Sequence, residues 1–422
     1  MDSLPYRMSE VSLVFGTSGD IRASSLGEAE ASGELKLVPL EFIDEARVLA
    51  GADPAEVIRP YIGRHSSNGQ TFRGALPIWD EDVPAADKIN VASRVATYSV
   101  VARDPGLMSK SEVYRRLSSS GVEVPKFKVL GSVDELRREL IAADGKKAGL
   151  IVKPSVGSGA HGVYHPSAAE DPDVVVRTYS YFRVPDISFN SAPLPNHEIV
   201  VADYIDWDGK PIEVTADGYI KKGRIELFEI FECLKIVERP PIHDELMVTP
   251  PLTPAVAKKT ADIRSVVEKS LTALGVTDSV FHIEIRLTET GIFPIDINLR
   301  PGGGLVPQAL FRRTGLDIRL VHILTYLRGP GVMIPRGPSG GQACAIAGLR
   351  LPKDRIGDRG QITQLDSALK SDKACCGYRL LSTASSDSSL VSDVNLWVGF
   401  ADSTPSGAVE RITKLSANFG LE

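Results

Sequence analysis

The chain has 422 residues, too many for one compact core, and this length predicts two to four structural units. With 43% hydrophobic and 24% charged residues its composition is that of an ordinary globular protein, and a net charge of −6 supplies no basic surface for nucleic acid. No apolar run has the length needed to span a bilayer. The start, Met1-Asp-Ser-Leu-Pro5, lacks a basic stretch followed by an apolar one, so no secretory signal is expected. Cys233, Cys344, Cys375 and Cys376 fit neither a metal-ligand spacing nor a disulfide framework, and predict reduced thiols in a cytoplasmic protein.

Taken in chain order, Val11–Phe15 reads as a first strand. The Gly16-Thr-Ser-Gly19 turn after it is a pattern shared by many α/β domains. Leu35–Leu40 reads as a second strand, and 52–90 as loops with short elements. The polar stretch Arg64–Gly69 is an ordinary loop or the lining of a substrate site. Ser109–Ser120 has helical periodicity, with Val113, Tyr114 and Leu117 on one side and Ser109 or Ser111 as N-cap. Lys126–Leu130 follows as a strand, and Ser132-Val-Asp-Glu135 is a capping-box pattern opening a helix to about Ala143. Gly149–Lys153 and Ile199–Ile205 read as strands, and Glu213–Asp217 with Arg224–Glu229 as a hairpin. Thr253–Leu274 predicts one long helix, with Pro254 at its start and Gly275 at its end. Gly329–Pro338 reads as a linker, followed by strands near Ala343–Leu351 and Asn395–Ala401 and a last helix over Ser406–Asn418.

Two segments carry chemistry. In Phe281–Gly304, Glu284 lies in one β-patterned run and Asp296 and Asn298 in a second, joined by the turn Thr288-Glu-Thr-Gly291. Residues two apart on a strand share a face, so Asp296 and Asn298 point one way and a paired Glu284 can join them. His282, Arg286 and Arg300 fall on the same side, while Ile283, Ile285, Ile295 and Ile297 face the other. Three oxygen ligands on adjacent strands suit Mg²⁺. A half-solvated sheet edge has the same alternation. The second segment is Lys153 followed by glycines at 157, 159 and 162. Such a loop lets backbone N–H groups approach an anion, and a strand-end lysine adds positive charge for phosphate. It is neither a Walker A loop nor a Rossmann fingerprint, and reads as a phosphate-covering flap or a surface hairpin.

In order, Met108–Leu117, Gly121–Phe127, Ile151–Val163, Phe281–Arg286 and Ile295–Gly304 resemble the ATP-grasp superfamily over about residues 105–330. The His282-x-Glu284 pair and the Arg300-Pro-Gly-Gly-Gly304 ending are closer to carboxylate–amine ligases of the L-amino-acid and dipeptide type than to D-alanine ligases, which carry arginine in place of His282. The resemblance implies an α/β (α+β) chain with the ATP-grasp fold. Its units would be a Rossmann-like N-terminal domain (1–105), a subdomain with the glycine loop (106–198), a subdomain with the metal strands (199–330) and a small C-terminal α+β domain (331–422). Lys110 and Lys153 would contact ATP phosphates under a cover formed by Gly157, Ser158, Gly159 and Gly162. Val201, Asp203, Tyr204 and Ile205 would form the hinge that meets adenine. Glu284, Asp296 and Asn298 would hold one or two Mg²⁺ ions, with Mn²⁺ as a substitute, and Arg300 would stabilise the transferred phosphoryl group. His282 and Arg286 would reach substrate, Arg286 as a carboxylate binder.

Two positions depart from that pattern. Ala202 stands where the family carries glutamate, and the ribose-binding acid is displaced, with Asp208 and Glu213 the nearest candidates. The implied reaction joins a small-molecule carboxylate to an amine through an acyl phosphate, releasing ADP and phosphate. Carboxylation, acyl-CoA formation, small-molecule phosphorylation and nucleotide binding without catalysis are the competing readings. Neither nucleic acid nor membrane is an expected partner, homodimers are common among relatives, and pocket residues are expected near 64–75, 180–195 and 304–312.

Overall fold

The structure is a computed structural model that describes residues 10–15, 40–43, 56, 59–60, 71–77, 83–92, 94, 98–143, 145–157, 162–182, 188–189, 192–193, 198–237, 243–328, 340–351, 359–380 and 396–421. At the N-terminus β1 (Glu10–Phe15) lies between β2 (Leu40–Ile43) and β3 (Thr71–Leu76), parallel to both. A strand is thus present beside the expected Leu35–Leu40, of which 35–39 lie outside the described residues, as do Gly16–Gly19 and Arg64–Gly69. Helix α1 (Val83–Ala92) packs on β3. There the Asn90 side chain accepts from the Ala75 N–H at 2.7 Å and donates to the Ala75 carbonyl at 2.9 Å, satisfying backbone groups on the edge of the sheet formed by the described residues.

After the short α2 (Val100–Arg103), α3 (Lys110–Ser119) starts at Ser109, whose hydroxyl accepts from the Glu112 N–H. The capping-box pattern is realised at α4 (Val133–Ala142), where Ser132 accepts from the Glu135 N–H. Strands β4 (Phe127–Leu130) and β5 (Leu150–Pro154) pair antiparallel with the two sides of β8 (Ile199–Asp203). Between β5 and β8 run α5 (Pro172–Phe182) and the two-residue pair β6 (Ser188–Phe189) and β7 (Ala192–Pro193).

Among the described residues the larger sheet has eight strands. In sequence they are β9 (Glu213–Lys221), β10 (Arg224–Val237), β11 (His243–Thr249), β12 (Ser279–Leu287), β13 (Ile292–Asn298), β14 (Ala343–Leu349), β15 (Cys375–Leu380) and β16 (Leu396–Asp402). Their spatial order is β13-β12-β9-β10-β11-β14-β16-β15, so the strands after residue 331 extend this same sheet. The single helix expected over Thr253–Leu274 is two, α6 (Pro254–Lys258) and α7 (Thr260–Ala273). At Lys259 the N–H turns to the Val256 carbonyl three residues back, tightening and ending the first helix. Gly275, at φ +69°, closes the second as expected.

Alternation along the strands gives the sheet two unlike faces. Val214, Ala216, Ile283, Ile285, Ile297 and Leu299 are buried in one cluster with Ile263, Val267 and Leu271 of α7. On the other face Phe231, Met247 and Ile346 pack under α8 (Val306–Thr314) and α9 (Ile318–Arg328). Fully burying one such aliphatic side chain contributes about 1.5–3 kcal/mol, so this packing rather than local propensity holds the sheet flanks. The polar residues of β9, β12 and β13 remain on the second face, toward the β13 edge. The chain closes with α10 (Arg359–Ser371) and α11 (Pro405–Phe419), the latter packed on β14 and β16.

Candidate active site

Thr288 and Gly291 close the hairpin between β12 and β13, the Thr288 N–H donating to the Gly291 carbonyl and the Gly291 N–H to Thr288 Oγ1. The turn pairs Leu287 with Ile292, and a bulge at Ile295 then shifts the register so that Glu284 stands opposite Asp296 and His282 opposite Asn298. Directly opposed residues of antiparallel strands share a face, so all four point the same way. On its other side β12 pairs with β9, setting Asp217 opposite His282, Thr215 opposite Glu284 and Glu213 opposite Arg286. The polar face is therefore three strands wide.

The two lysines reach this face through buried hydroxyls. Ser109 and Ser155 are 2.9 Å apart Oγ to Oγ, the Ser111 N–H donates to Ser155 Oγ, and the Lys110 N–H donates to the Ser155 carbonyl. These bonds fasten the first turn of α3 to the end of β5, bringing Lys110 and Lys153 together. Lys110 Nζ donates to Asp296 Oδ1 at 2.8 Å and to the Gly157 carbonyl at 3.1 Å. Lys153, 5% exposed, donates to Tyr114 Oη at 2.6 Å and to the Ile295 carbonyl at 2.8 Å. Tyr114 also donates to that carbonyl, so it positions the lysine, a polar role that its helical spacing with Val113 and Leu117 does not announce. A cleft with about 570 Å³ of empty space, part of it open solvent, lies beside Lys110, Gly157, Asp296 and Asn298, with Leu107, Met108 and Val156 as its apolar wall.

Electrostatics follow from burial and charge. Burial and the neighbouring Asp296 push Glu284 up to about 7. Burial opposes ionisation of Asp296 too, but Lys110 and Lys153 outweigh it and hold that carboxyl below its usual range. Burial draws Lys153 down to about 8. For His282 burial disfavours the cation, yet Asp217 wins and raises the imidazole above its ordinary value. His282 Nδ1 lies 2.8 Å from Asp217 Oδ1, Thr215 Oγ1 donates to Asp217 Oδ2 at 2.8 Å, and His282 Nε2 is 3.8 Å from Glu284 Oε1.

Other expected positions fall as follows. Arg300 Nη2 donates to Asn298 Oδ1 at 3.0 Å, while the buried Asn298 Nδ2 has no partner among the described residues. Arg286 is buried in an ion pair with Glu213, and its Nη1 donates to Tyr204 Oη at 3.2 Å and the Ile205 carbonyl at 3.5 Å. Glu213 and Arg286, expected at ribose and at a substrate carboxylate, thus occupy each other beside the hinge. Asp208 is exposed at a turn with φ +52°. Val201 and Asp203 lie on β8, while Gly157 (φ +150°) and Gly162 (φ +74°) flank Ser158 and Gly159, which are outside the described residues. His165, beyond the loop, stacks on Tyr204 with ring centroids 3.8 Å apart. No group of three His, Cys, Asp or Glu side chains forms a metal-ligand set among the described residues; the acids here are two, completed by the amide of Asn298. Asp217 and Thr215 were missed in the sequence, although Glu213-x-Thr-x-Asp217 shows the same alternation as the metal strands.

The three-stranded sheet thus brings its lysine to an antiparallel sheet whose edge hairpin carries two carboxylates. Residues 146–308 match the family model described as ATP-grasp domain, and the chain has the fold of ATP-grasp enzymes. Over 97% of its length it superposes on 98% of an L-amino acid ligase from Bacillus licheniformis, with a TM-score of 0.67 at 13% identity. It also covers 90% of the biotin carboxylase domain of the Hydrogenobacter thermophilus 2-oxoglutarate carboxylase, solved with MgADP and bicarbonate, with a TM-score of 0.60 at 14% identity over 97% of this chain. A curated relative, the uncharacterized protein y4rH of Sinorhizobium fredii, is 28% identical over 211 residues, which span 49% of this chain but only 39% of that protein. No described helix is long and apolar enough to cross a membrane.

Proposed function

We propose that the chain is an ATP-dependent, ADP-forming ligase that joins a small-molecule carboxylate, such as an amino acid, to an amine. The observation that carries the reading is the Glu284–Asp296 pair on the hairpin, with Lys110 bonded to Asp296 at the cleft and Lys153 bonded to the neighbouring Ile295 carbonyl. Two carboxylates and an amide oxygen form a hard donor set, and the raised Glu284 beside Asp296 marks a charge imbalance that a divalent cation relieves. Glu284, Asp296 and Asn298 would hold Mg²⁺, which when bound would neutralise phosphate charge and polarise the transferred phosphoryl group.

The chain's own residues would do the rest. Lys110 and Lys153 offset the repulsion between a triphosphate and a carboxylate, and Arg300 stabilises charge on the phosphoryl group in flight. The γ-phosphoryl passes to the carboxylate oxygen and ADP leaves; the amine then attacks the acyl carbon and phosphate leaves. His282, held by Asp217, stands beside this reaction. The loop from Gly157 to Gly162 would cover the phosphates and exclude water, which otherwise hydrolyses an acyl phosphate. The fold of the L-amino acid ligase supports amide formation.

The test is to incubate the protein with Mg-ATP and pairs of amino acids and to measure ADP, AMP and phosphate. ADP and phosphate release that depends on both substrates supports the proposal. A phosphorylated product without phosphate release means a kinase, and AMP removes the acyl-phosphate route.

A further inference from the structure

The loop after Arg300 touches two distant parts of the sheet. A Cβ on Gly302 would stand 2.8 Å from His282 Nδ1 and 2.9 Å from Asp217 Oδ1, so only glycine lets the backbone lie against that pair. Two residues on, Gly304 has φ +56°, and a Cβ there would stand 3.1 Å from Cε3 and Cζ3 of Trp397. Trp397 sits on β16, five strands from β12 in the sheet order. Residues two apart in a chain are separated by no more than about 7 Å, so the loop bounds the gap between the imidazole and the indole at roughly 16 Å. The sheet therefore curls until β16 comes within roughly 16 Å of the His282 imidazole.

The indole is suited to face a substrate. Its flanking neighbours Leu396 and Val398 are buried, whereas Trp397 is only partly so. Its cross-strand partner on β14 is Gly348, which has no side chain to cover the ring from that side, while Arg379 stands opposite it on β15. Leu305 and Val306, at the start of α8, and Ile346 of β14 join it in the same apolar cluster. A half-buried aromatic ring that abuts a glycine loop, with a glycine as its partner on one flank, is placed to form a wall rather than a core plug.

We propose that Trp397 is a specificity-determining residue, forming the apolar wall that limits the substrate side chain beyond Arg300. The occupant is an amino-acid substrate whose side chain lies against the indole, with small and medium side chains preferred. This inference rests on the ligase reading above and names a subsite of that reaction.

The experiment compares wild type with Trp397→Ala, Trp397→Leu and Trp397→Phe, measuring ADP release with Mg-ATP across amino acids of graded side-chain volume. Thermal melts of each variant, and KM for ATP, are read alongside. The wall predicts that KM for the bulkiest side chains falls about 10-fold or more in Trp397→Ala. It predicts a smaller fall in Trp397→Leu, near-wild-type values in Trp397→Phe, and an unchanged KM for ATP. If Trp397→Ala does not fold, the graded Leu and Phe variants carry the test. Wild type and folded variants sharing one rank order of substrates overturns the wall and leaves the ligase reading standing. Absence of ADP release from wild type with every pair overturns both.

Discussion

Asp217 Oδ1 and His282 Nδ1 lie 2.8 Å apart on neighbouring strands, both side chains buried, with Gly302 packed against the pair. Asp217 holds the imidazole so that Nε2 faces Glu284. Asp217→Ala should leave a buried imidazole and the Thr215 hydroxyl without their acceptor, lowering stability by about 1–3 kcal/mol. Asp217→Asn keeps the shape but removes the charge that raises the imidazole, so its titration should move to lower pH. NMR of the His282 ring in both proteins measures this; an unmoved titration would show that the pair is not coupled.

Gly302→Ala tests the same contact from the other side. The new methyl would meet His282, Asp217 and, at 3.0 Å, Val306 Cγ1. Overpacking of this kind costs about 1–3 kcal/mol. Denaturant unfolding should show that loss, and turnover should drop while ATP affinity persists. Full stability and full turnover would mean that the loop moves freely away from the histidine.

Glu284 makes the metal-free protein pH-sensitive. Its folded value of about 7 lies above the ordinary 4.5, so the folded state holds a proton that the unfolded chain has lost. That contribution is complete below pH 4.5 and is lost as pH rises through about 7. Thermal midpoints of chelator-treated wild type should fall relative to Glu284→Gln across this window, and saturating Mg-ATP should reverse the difference. Parallel pH profiles for the two proteins would contradict it. Without Glu284 or Asp296 turnover should drop about 10²–10³-fold, the size expected for losing a principal electrostatic contact.

Lys153 gives a second titration. Burial holds it at about 8, well below the usual lysine value, and triphosphate beside it should restore the charge. ATP binding at pH 9 should therefore take up protons, with little uptake at pH 7. Calorimetry in buffers of different ionisation enthalpy reads this directly, and Lys153→Met should abolish it. Uptake that survives in Lys153→Met assigns the proton elsewhere.

Much of this site was legible because strand alternation is local. Asp296-x-Asn298, Glu284 and the turn at Thr288–Gly291 are close in sequence, but the bulge at Ile295 that sets Glu284 opposite Asp296 carries no mark there. Lys110 and Lys153 were legible as a helix start and a strand end. What joins them to the acids was not: the serine hydroxyls act across 46 residues and Tyr114 across 39. Asp217 lies 65 residues from His282, and only the β9–β12 pairing makes them neighbours. The same holds for Glu213 and Arg286, two charges with separate expected tasks that neutralise each other. The break at Lys259 left no trace because neither glycine nor proline marks it. The reach of Trp397 depends on the curl of the whole sheet, which no local pattern encodes.

The central claim is that the carboxylate oxygen receives the phosphoryl group. Supplying a carboxylate substrate labelled with ¹⁸O, together with Mg-ATP and the amine, and analysing the phosphate by mass spectrometry tests it most directly. One ¹⁸O should appear in each phosphate released, alongside one ADP and one amide. Unlabelled phosphate with amide formation, or label carried into AMP, would contradict the account.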